Sequence, residues 1–190
     1  MIWLALGLTL FLGIHLTRAL APRWRNAQVA RLGDKGWKGL YTLVSVVGFG
    51  LILWGYSQAR LTPVVLWQPI RGMNHLAALF MLVALVLLAA AYVPRNHIKA
   101  RLLHPMTLSV KVWALAHLLA NNTLADVMLF GSFLVWAVLV FRAARRRPAP
   151  AVAAPTAAGT AATLVAGMAL WAFFAFWAHA AWLGIAPMGR

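Results

Sequence analysis

Long apolar stretches separated by short polar ones make up most of the chain. Runs close to the roughly 20 mainly apolar residues that cross a bilayer as a helix lie at about 2–21, 39–57, 75–93, 106–122, 124–141 and 160–186. The pattern predicts an all-α integral membrane protein, a polytopic bundle of about six transmembrane helices. The fourth and fifth runs are separated only near Asn121 and Asn122, residue types that tolerate the left-handed backbone of a tight turn. These two helices should therefore be antiparallel neighbours.

The polar stretches divide the chain into parts. The segment from Arg145 to Ala162 is rich in Pro and Ala, which predicts a flexible tether. We expect a five-helix membrane domain over residues 1–142, a linker over 143–160 and a sixth transmembrane helix over 161–187 that packs more loosely.

The first run resembles a signal peptide, with Ala19, Leu20 and Ala21 as a cleavage-like site. Its charges follow the apolar stretch instead of preceding it, so a membrane anchor is predicted.

The basic residues predict the orientation. Thirteen of the 17 Lys and Arg residues fall in the first, third and fifth loops, whereas Arg60, Arg71 and Arg190 lie on the opposite side. Positively charged loops stay in the cytoplasm. Both termini are therefore predicted to lie outside the cytoplasm.

Composition supports this class and excludes several functions. The chain is 64% hydrophobic and 10% charged, with a mean hydropathy of +0.82. The net charge of +15 does not indicate nucleic-acid binding, because the basic residues lie between the apolar runs and are not clustered on one face of a folded domain. Without cysteine, disulfides, iron–sulfur clusters and thiolate-ligated haem are excluded. With Asp34 and Asp126 as the only acids, paired-carboxylate catalysis and carboxylate-bridged metal pairs are excluded too.

His117, in the outer half of the fourth predicted helix, is the strongest candidate for chemistry. Trp113, Ala114 and Asn121 share its face at helical spacing. They offer an aromatic wall, a small residue where a planar group could approach, and a polar group that could orient the imidazole. Such a setting suits a metal ligand, and an interhelical hydrogen bond is the alternative.

His15 lies nearer the cytoplasmic end of the first predicted helix, with Arg18 about one turn further on. An imidazole beside a guanidinium suits a haem, whose iron takes the nitrogen and whose propionates take the cation. Alternatively, Arg18 snorkels to the lipid headgroups.

Three further histidines lie elsewhere in the chain. His75 is at the start of the third helix, at the outer edge of the membrane. His97 is interpreted as a solvated loop residue, and the role of His179 stays open.

The fourth helix has a second polar sector at its cytoplasmic entrance. His104 precedes Pro105 and suits a cap-like structural role. Lys111 follows two turns later on the same face, where it could reach the cytoplasmic surface or a cofactor carboxylate. No glycine-rich phosphate loop or nucleophile elbow is present, so the catalytic residues, if any, stay unknown.

Several segments resemble, in order and spacing, the NnrU family. They are GIHL (13–16), LGDKGWKGLYTLVSVVG (32–48), WGY (54–56), NHLA (74–77), YVPRNHIKARLLHP (92–105) and KVWALAHLLANN (111–122). The resemblance covers residues 1–142. The family includes bacterial proteins linked to denitrification and, more distantly, the 15-cis-zeta-carotene isomerase.

The resemblance implies a multi-pass protein of the bacterial inner membrane that binds haem b. It implies His117 and His15 as iron ligands, with His75 as the alternative partner by depth, since His15 and His117 differ by about 14 Å in depth. The histidine of the HP motif maps in the same way to His104. The side chains near the histidines add Arg18, Lys111, Trp113 and Asn121 as candidate cofactor contacts. Ala114 stands where the isomerase is thought to offer a cysteine, so thiolate switching is not expected.

Three functions remain open at this level. The first is redox-gated chemistry at a haem iron, with a small hydrophobic or gaseous ligand taken from the bilayer or its surroundings. The second is a non-catalytic haem-bearing accessory or sensor in nitrite and nitric oxide metabolism. The third has no cofactor, only an interhelical polar network.

Overall fold

A computed structural model describes residues 1–188 of the chain, and Arg190, counted above for the orientation, lies outside this range. The described part is helical. Its elements are α1 (Ile2–Leu20), α2 (Pro22–Leu61), α3 (Met73–Tyr92), α4 (His97–Leu102), α5 (Pro105–Ala120), α6 (Leu124–Arg145), α7 (Ala157–Phe173) and, after a π-helical turn (Phe174–Ala178), α8 (His179–Leu183).

Within residues 1–188, five helical segments are long and apolar enough to cross a membrane: α1, α2, α3, α6 and the continuous segment from Ala157 to Leu183. They include five of the six predicted runs. The remaining run forms α5, which has 16 residues and a length of about 24 Å, short of a straight crossing of a core about 30 Å thick. Large apolar side chains on these helices are exposed, such as Leu43 at 62% and Val46 at 65%, as expected of surfaces that face lipid.

The helices pack in the spatial order α2, α1, α6, α5, α3, α7. A buried core of Leu, Ile, Phe and Ala side chains joins α1, α2, α5 and α6. Glycines bring α1 and α2 into backbone contact: a Cβ at Gly48 would lie 2.8 Å from the Phe11 nitrogen, and one at Gly55 would overlap the backbone of Leu4. Small residues of this kind allow the close approach that holds membrane helices together.

Helix α2 extends well beyond the predicted run at 39–57. Pro22 starts it at a position where proline is favourable, so the basic loop is itself helical. Gly33 interrupts the helix with φ 71° and ψ 164°, a conformation available to glycine alone among common residues. The basic segment over 22–32 is thus a separate helical piece before the spanning part.

The turn between α5 and α6 was predicted correctly as a hairpin, but its expected cause is wrong. Asn121 is extended, with φ −117° and ψ 152°, and neither asparagine has a positive φ. The turn is held by the loop that follows α2: Leu66 N–H donates to the Asn122 carbonyl at 2.8 Å, and Leu124 N–H to the Val64 carbonyl at 2.9 Å. Backbone pairing with a distant segment therefore replaces the left-handed turn.

The Pro- and Ala-rich linker is shorter than predicted. Helix α6 continues to Arg145 and α7 begins at Ala157, so residues 146–156 form the connection. The last helix packs closely on α3, because a Cβ at Gly167 would lie 2.6 Å from the Val86 Cα. Its start is also attached, since the Thr156 N–H donates to the Arg95 carbonyl at 2.7 Å.

Candidate functional site

The His117 side chain lies in the last turn of α5, between aromatic rings. Its Nδ1 is 2.9 Å from the carbonyl oxygen of Trp113, one turn earlier. The ring stacks on Phe130 of α6, with centroids 4.5 Å apart, and lies 5.3 Å from the Trp113 ring. Because a carbonyl only accepts, Nδ1 carries the proton and Nε2 keeps its lone pair for another partner.

Two of the expected neighbours of His117 take the predicted places, and one has a different role. Trp113 forms an aromatic wall, and Ala114 is fully buried in the core. Asn121, however, donates from Nδ2 to the His117 backbone carbonyl at 2.8 Å and does not orient the ring. The Trp113 carbonyl does so, because it is the hydrogen-bond acceptor one helical turn away.

A buried carboxyl group lies close to this histidine. Asp126 on α6 is 6% exposed and accepts a 2.5 Å hydrogen bond at Oδ1 from the Tyr56 hydroxyl of α2. Its Oδ2 accepts from the Thr123 backbone and hydroxyl at 3.1 and 2.6 Å, which forms a capping box at the start of α6. Both oxygens are thus satisfied, as buried carboxyl groups require.

Charged and titratable groups from four helices lie near Asp126 or near its neighbours Tyr56 and His117. Asp126 and His179 lie within electrostatic reach of His117, and Arg60 lies within reach of Tyr56. We call Tyr56, Arg60, His117, Asp126 and His179 the Asp126 cluster. The cluster lies where α2 and α5 end and where α6 and α8 begin.

Sequence reasoning found only His117 of this cluster. Thr123 and Asp126 carry a readable signal, because a threonine followed three residues later by an acid indicates a helix start. His179 had no such signal. It follows the π-helical turn at Phe174–Ala178, and its Nδ1 lies 2.8 Å from the Ile185 carbonyl oxygen. Like His117, it has one ring nitrogen fixed by a backbone carbonyl.

His15 lies in a separate aromatic setting on α1. Its Nδ1 is 2.6 Å from the Phe11 carbonyl oxygen, and its ring lies 4.3 Å from Phe11, 5.0 Å from Tyr41 and 6.4 Å from Trp136. Arg18 is exposed at the end of α1. An imidazole therefore occupies the predicted position, with aromatic neighbours as its closest partners.

The structure does not bring His15 and His117 together. Phe133 lies between them, 6.0 Å from Phe11 and 5.5 Å from Trp113. Along α6, His117 is level with Phe130 and His15 with Trp136, a separation of about 9 Å at 1.5 Å per residue. His75 is exposed in the first turn of α3, and neither of these two histidines belongs to the Asp126 cluster.

His104 and Lys111 share a face of α5, as predicted, and Phe141 of α6 covers both. Lys111 Nζ lies 3.7 Å from the centre of the Phe141 ring, a cation–π contact that the sequence did not predict. The His104 ring meets Phe141 edge-on at 6.2 Å. His104 is the N-cap residue of α5, the position expected from Pro105, but its side chain makes no capping hydrogen bond. Its backbone carbonyl instead accepts from the Thr107 hydroxyl at 3.0 Å.

An apolar groove of about 410 Å³ runs between α1 and α6. Its lining residues are Leu12, Leu16, Val127, Gly131, Ser132, Val135 and Trp136. The Trp136 Nε1 is buried without a hydrogen-bond partner among the described residues. Over residues 1–188, no group of three or more His, Asp or Glu side chains is arranged to hold a metal ion.

Comparisons with known proteins place the chain in a family. The family model described as NnrU protein matches residues 3–187, a range that includes the last helix. A search of curated proteins and a search of solved structures gave no match. Because the match covers nearly the whole chain, this protein belongs to the NnrU family.

Proposed function

We propose that this protein is a haem-b-binding membrane protein of the NnrU type, with His117 as an axial ligand. The observation that supports this most is the His117 ring itself, whose Nδ1 is held by the Trp113 carbonyl at 2.9 Å. A neutral imidazole fixed in one tautomer by a backbone carbonyl is the usual form of a metal-ligating histidine. The free Nε2 is the atom that would bind iron.

The surroundings of His117 are aromatic and apolar. Phe130 and Trp113 form aromatic walls at 4.5 and 5.3 Å, and aromatic side chains commonly line cofactor sites. A bound haem supplies an iron that changes oxidation state and accepts an axial ligand. The Trp113 carbonyl and the Phe130 ring hold the imidazole in place.

The second ligand is the open part of the proposal. Two imidazole nitrogens on opposite sides of one metal lie about 4 Å apart, since each metal–nitrogen bond is about 2 Å. His15 and His117 are further apart in this packing, with Phe133 between them, so these residues do not fit one iron as a pair. His15 and His75 stay predicted ligands to be tested. His179 is tested beside them because its charge acts on His117.

The proposed activity is redox-gated chemistry at the haem, resembling that of the carotene isomerase. A lipid-soluble ligand would enter from the bilayer, and the groove between α1 and α6, about 410 Å³ in volume, has the size of ordinary ligand sites. Its lining is apolar apart from Ser132 and the Trp136 indole, which suits a hydrocarbon. A non-catalytic accessory or sensor role in nitrogen-oxide metabolism would need haem but not this groove.

A structural network without a cofactor is the second candidate, and one observation favours it. Asp126 satisfies both of its oxygens through Tyr56 and Thr123, so this buried polar group needs no ligand. Under this hypothesis His117 would stabilise the same region by its contacts with Trp113 and Phe130 alone.

An absorption spectrum of the purified protein, oxidised and reduced, distinguishes these functions. After expression with sufficient haem, the first proposal expects a Soret band that His117→Ala abolishes or shifts. The same spectra of His15→Ala, His75→Ala and His179→Ala identify the second ligand. A colourless wild-type protein would overturn the haem proposal in favour of the structural network.

The behaviour of the reduced protein separates the two haem functions. An axial ligand that dissociates on reduction supports redox-gated chemistry. Iron that keeps both ligands in each oxidation state supports the accessory role. Comparing a deletion strain with its parent, by growth on nitrate or nitrite and by carotenoid profile, then identifies the process served.

A further inference from the structure

A second cavity, of about 210 Å³, lies at the end of the bundle that carries the basic loops. It sits between the end of α3, helix α4 and the start of α5, and its lining residues are Ala91, Lys99, Leu103, His104, Pro105, Met106 and Thr107. Two of these side chains are basic. The cavity is therefore a small pocket whose polar groups are mainly hydrogen-bond donors.

Lys99 is held in place at this cavity. Its Nζ donates to the Ala91 carbonyl at 2.8 Å, which uses one of the three protons of an ammonium group. The helix that carries Lys99 is itself anchored by Asn96, which is fully buried. Asn96 donates to the Ala90 and Val93 carbonyls at 3.0 and 2.6 Å and accepts from the Lys99 N–H at 2.7 Å. The remaining ammonium protons are thus presented at a fixed position.

An unusual backbone conformation places His104 beside Lys99. Leu103, which lines the cavity, has φ 63°, a left-handed value that is costly for a residue with a branched side chain. This turn lets α5 begin directly after α4, so that both basic side chains line one cavity. Strained residues of this kind occur where a function requires a particular geometry.

Positive charge accumulates around the cavity without an acid to balance it. Burial lowers the pKa of His104, and the charges of Arg145 and Arg147, at and just after the end of α6, lower it further. The chain has two acids against 17 Lys and Arg residues. Asp126 is bonded to Tyr56 at the opposite end of the bundle, and Asp34 lies on α2, which is not adjacent to α3 or α4. An anion from outside the protein therefore meets no internal carboxylate that competes for these basic groups.

We propose that the cavity between α3, α4 and α5 binds a phosphate group through Lys99 and His104, supported by the charges of Arg145 and Arg147. The ligand is an anionic lipid headgroup at the membrane surface or a free phosphate, which share this chemistry. A volume of about 210 Å³ accommodates such a group. His104 precedes His117 by 13 residues, or about 20 Å along α5, so this site is separate from the proposed haem site and does not depend on it.

Binding to the full-length protein in a neutral detergent tests the proposal. The probes are phosphatidylglycerol, phosphatidylcholine and inorganic phosphate, and bound lipid is counted by native mass spectrometry. Lys99→Gln keeps a donor for the Ala91 carbonyl but removes the charge, and His104→Ala removes the second donor. Lys38→Gln, at an exposed position of α2, is the matched control for a lost positive charge.

We expect phosphatidylglycerol to bind in preference to phosphatidylcholine, and Lys99→Gln to weaken that binding about tenfold, the usual effect of losing a hydrogen bond between charged groups. His104→Ala should weaken it as well, and Lys38→Gln should not. If inorganic phosphate displaces the lipid, a free phosphate is sufficient as ligand, and if it does not, the lipid headgroup is the ligand. Equal loss of binding in Lys38→Gln and Lys99→Gln, or no preference for the anionic lipid, would overturn the proposal.

Discussion

The Tyr56 hydroxyl and the Asp126 carboxyl, 70 positions apart in the chain, form a 2.5 Å hydrogen bond between α2 and α6. Asp126 is also bonded to Thr123, which starts α6. One side chain therefore links the start of a helix to a neighbouring helix. The charge of the same carboxyl group acts on His117, so this hydrogen bond positions a group that belongs to the candidate site.

Tyr56→Phe should destabilise the protein measurably. It removes the hydroxyl donor and leaves Asp126 Oδ1 buried without that partner, a loss of about 1–3 kcal/mol. In a protein of this size we expect a fall of several degrees in the thermal midpoint, at about 2–4 °C per kcal/mol. Unfolding in detergent, followed by circular dichroism, measures it.

Ser57→Ala is the control, since the Ser57 hydroxyl donates to the Trp54 carbonyl of its own helix on an exposed face. A Tyr56→Phe midpoint equal to that of Ser57→Ala would show that the Tyr56 hydroxyl contributes nothing. Asp126→Ala should have a larger effect than Tyr56→Phe, because it also removes the capping box of α6.

Gly48→Val should prevent close packing of α1 on α2. A Cβ at this position would lie 2.8 Å from the Phe11 nitrogen and 3.1 Å from its Cα, and backbone atoms cannot move aside as a flexible side chain can. Gly50→Val, on the same helix, is the matched control, since a Cβ there has no neighbour within 4 Å.

Both variants add the same β-branched side chain to a glycine of α2, so intrinsic helix propensity cancels in the comparison. Size-exclusion chromatography in detergent should show a monodisperse Gly50→Val protein and loss of the monodisperse species for Gly48→Val. Similar profiles for the two would mean that α1 and α2 do not approach as closely as described.

The apolar runs were sufficient to predict most of the fold. A stretch such as 75–93 is long and apolar enough to predict a membrane helix, and α3 spans Met73–Tyr92. The helix over 22–32 was not predicted, because it is basic and has no long apolar run. The cause of the α5–α6 turn was missed because Val64 and Leu66, which pair with it, lie more than 50 residues away.

The candidate site was less accessible to sequence reasoning. His117, Trp113 and Ala114 are close on one helix, so their shared face follows from helical spacing. Tyr56 and His179 reach the same region through the packing of separate helices, which local sequence patterns do not predict. The orientation of the His117 ring by a backbone carbonyl was also hidden, because every residue has a carbonyl and only the side-chain rotamer selects one.

His104 should make stability depend on pH near its ordinary pKa of about 6.5. Burial, Arg145 and Arg147 lower its pKa in the folded protein, so below pH 6.5 the unfolded chain takes up a proton before the folded one. The free energy of unfolding therefore falls as pH drops through 6.5, and it levels off below the folded-state pKa.

His104→Gln should remove this part of the pH dependence. Thermal midpoints between pH 8 and pH 5 would show the variant losing less stability than the wild type on acidification. Charged side chains close to His104 include Lys99, Lys111, Arg145 and Arg147. His97→Gln serves as the comparison, and an equal pH slope for wild type and His104→Gln would contradict the expected effect.

The orientation of the bundle can be tested with single cysteines, because the natural chain has none. The antiparallel bridge between Val65 and Thr123 places the loop at 62–72 beside the start of α6, whereas residues 146–156 follow its other end. Gln68→Cys and Ala149→Cys are exposed positions in these two loops. Thirteen basic residues lie in the first, third and fifth loops, and Ala149 lies in the fifth. The positive-inside rule therefore predicts that Ala149 faces the cytoplasm. A membrane-impermeant maleimide added to spheroplasts should therefore label Gln68→Cys at once and Ala149→Cys only after the membrane is permeabilised, and the opposite pattern would reverse the proposed topology.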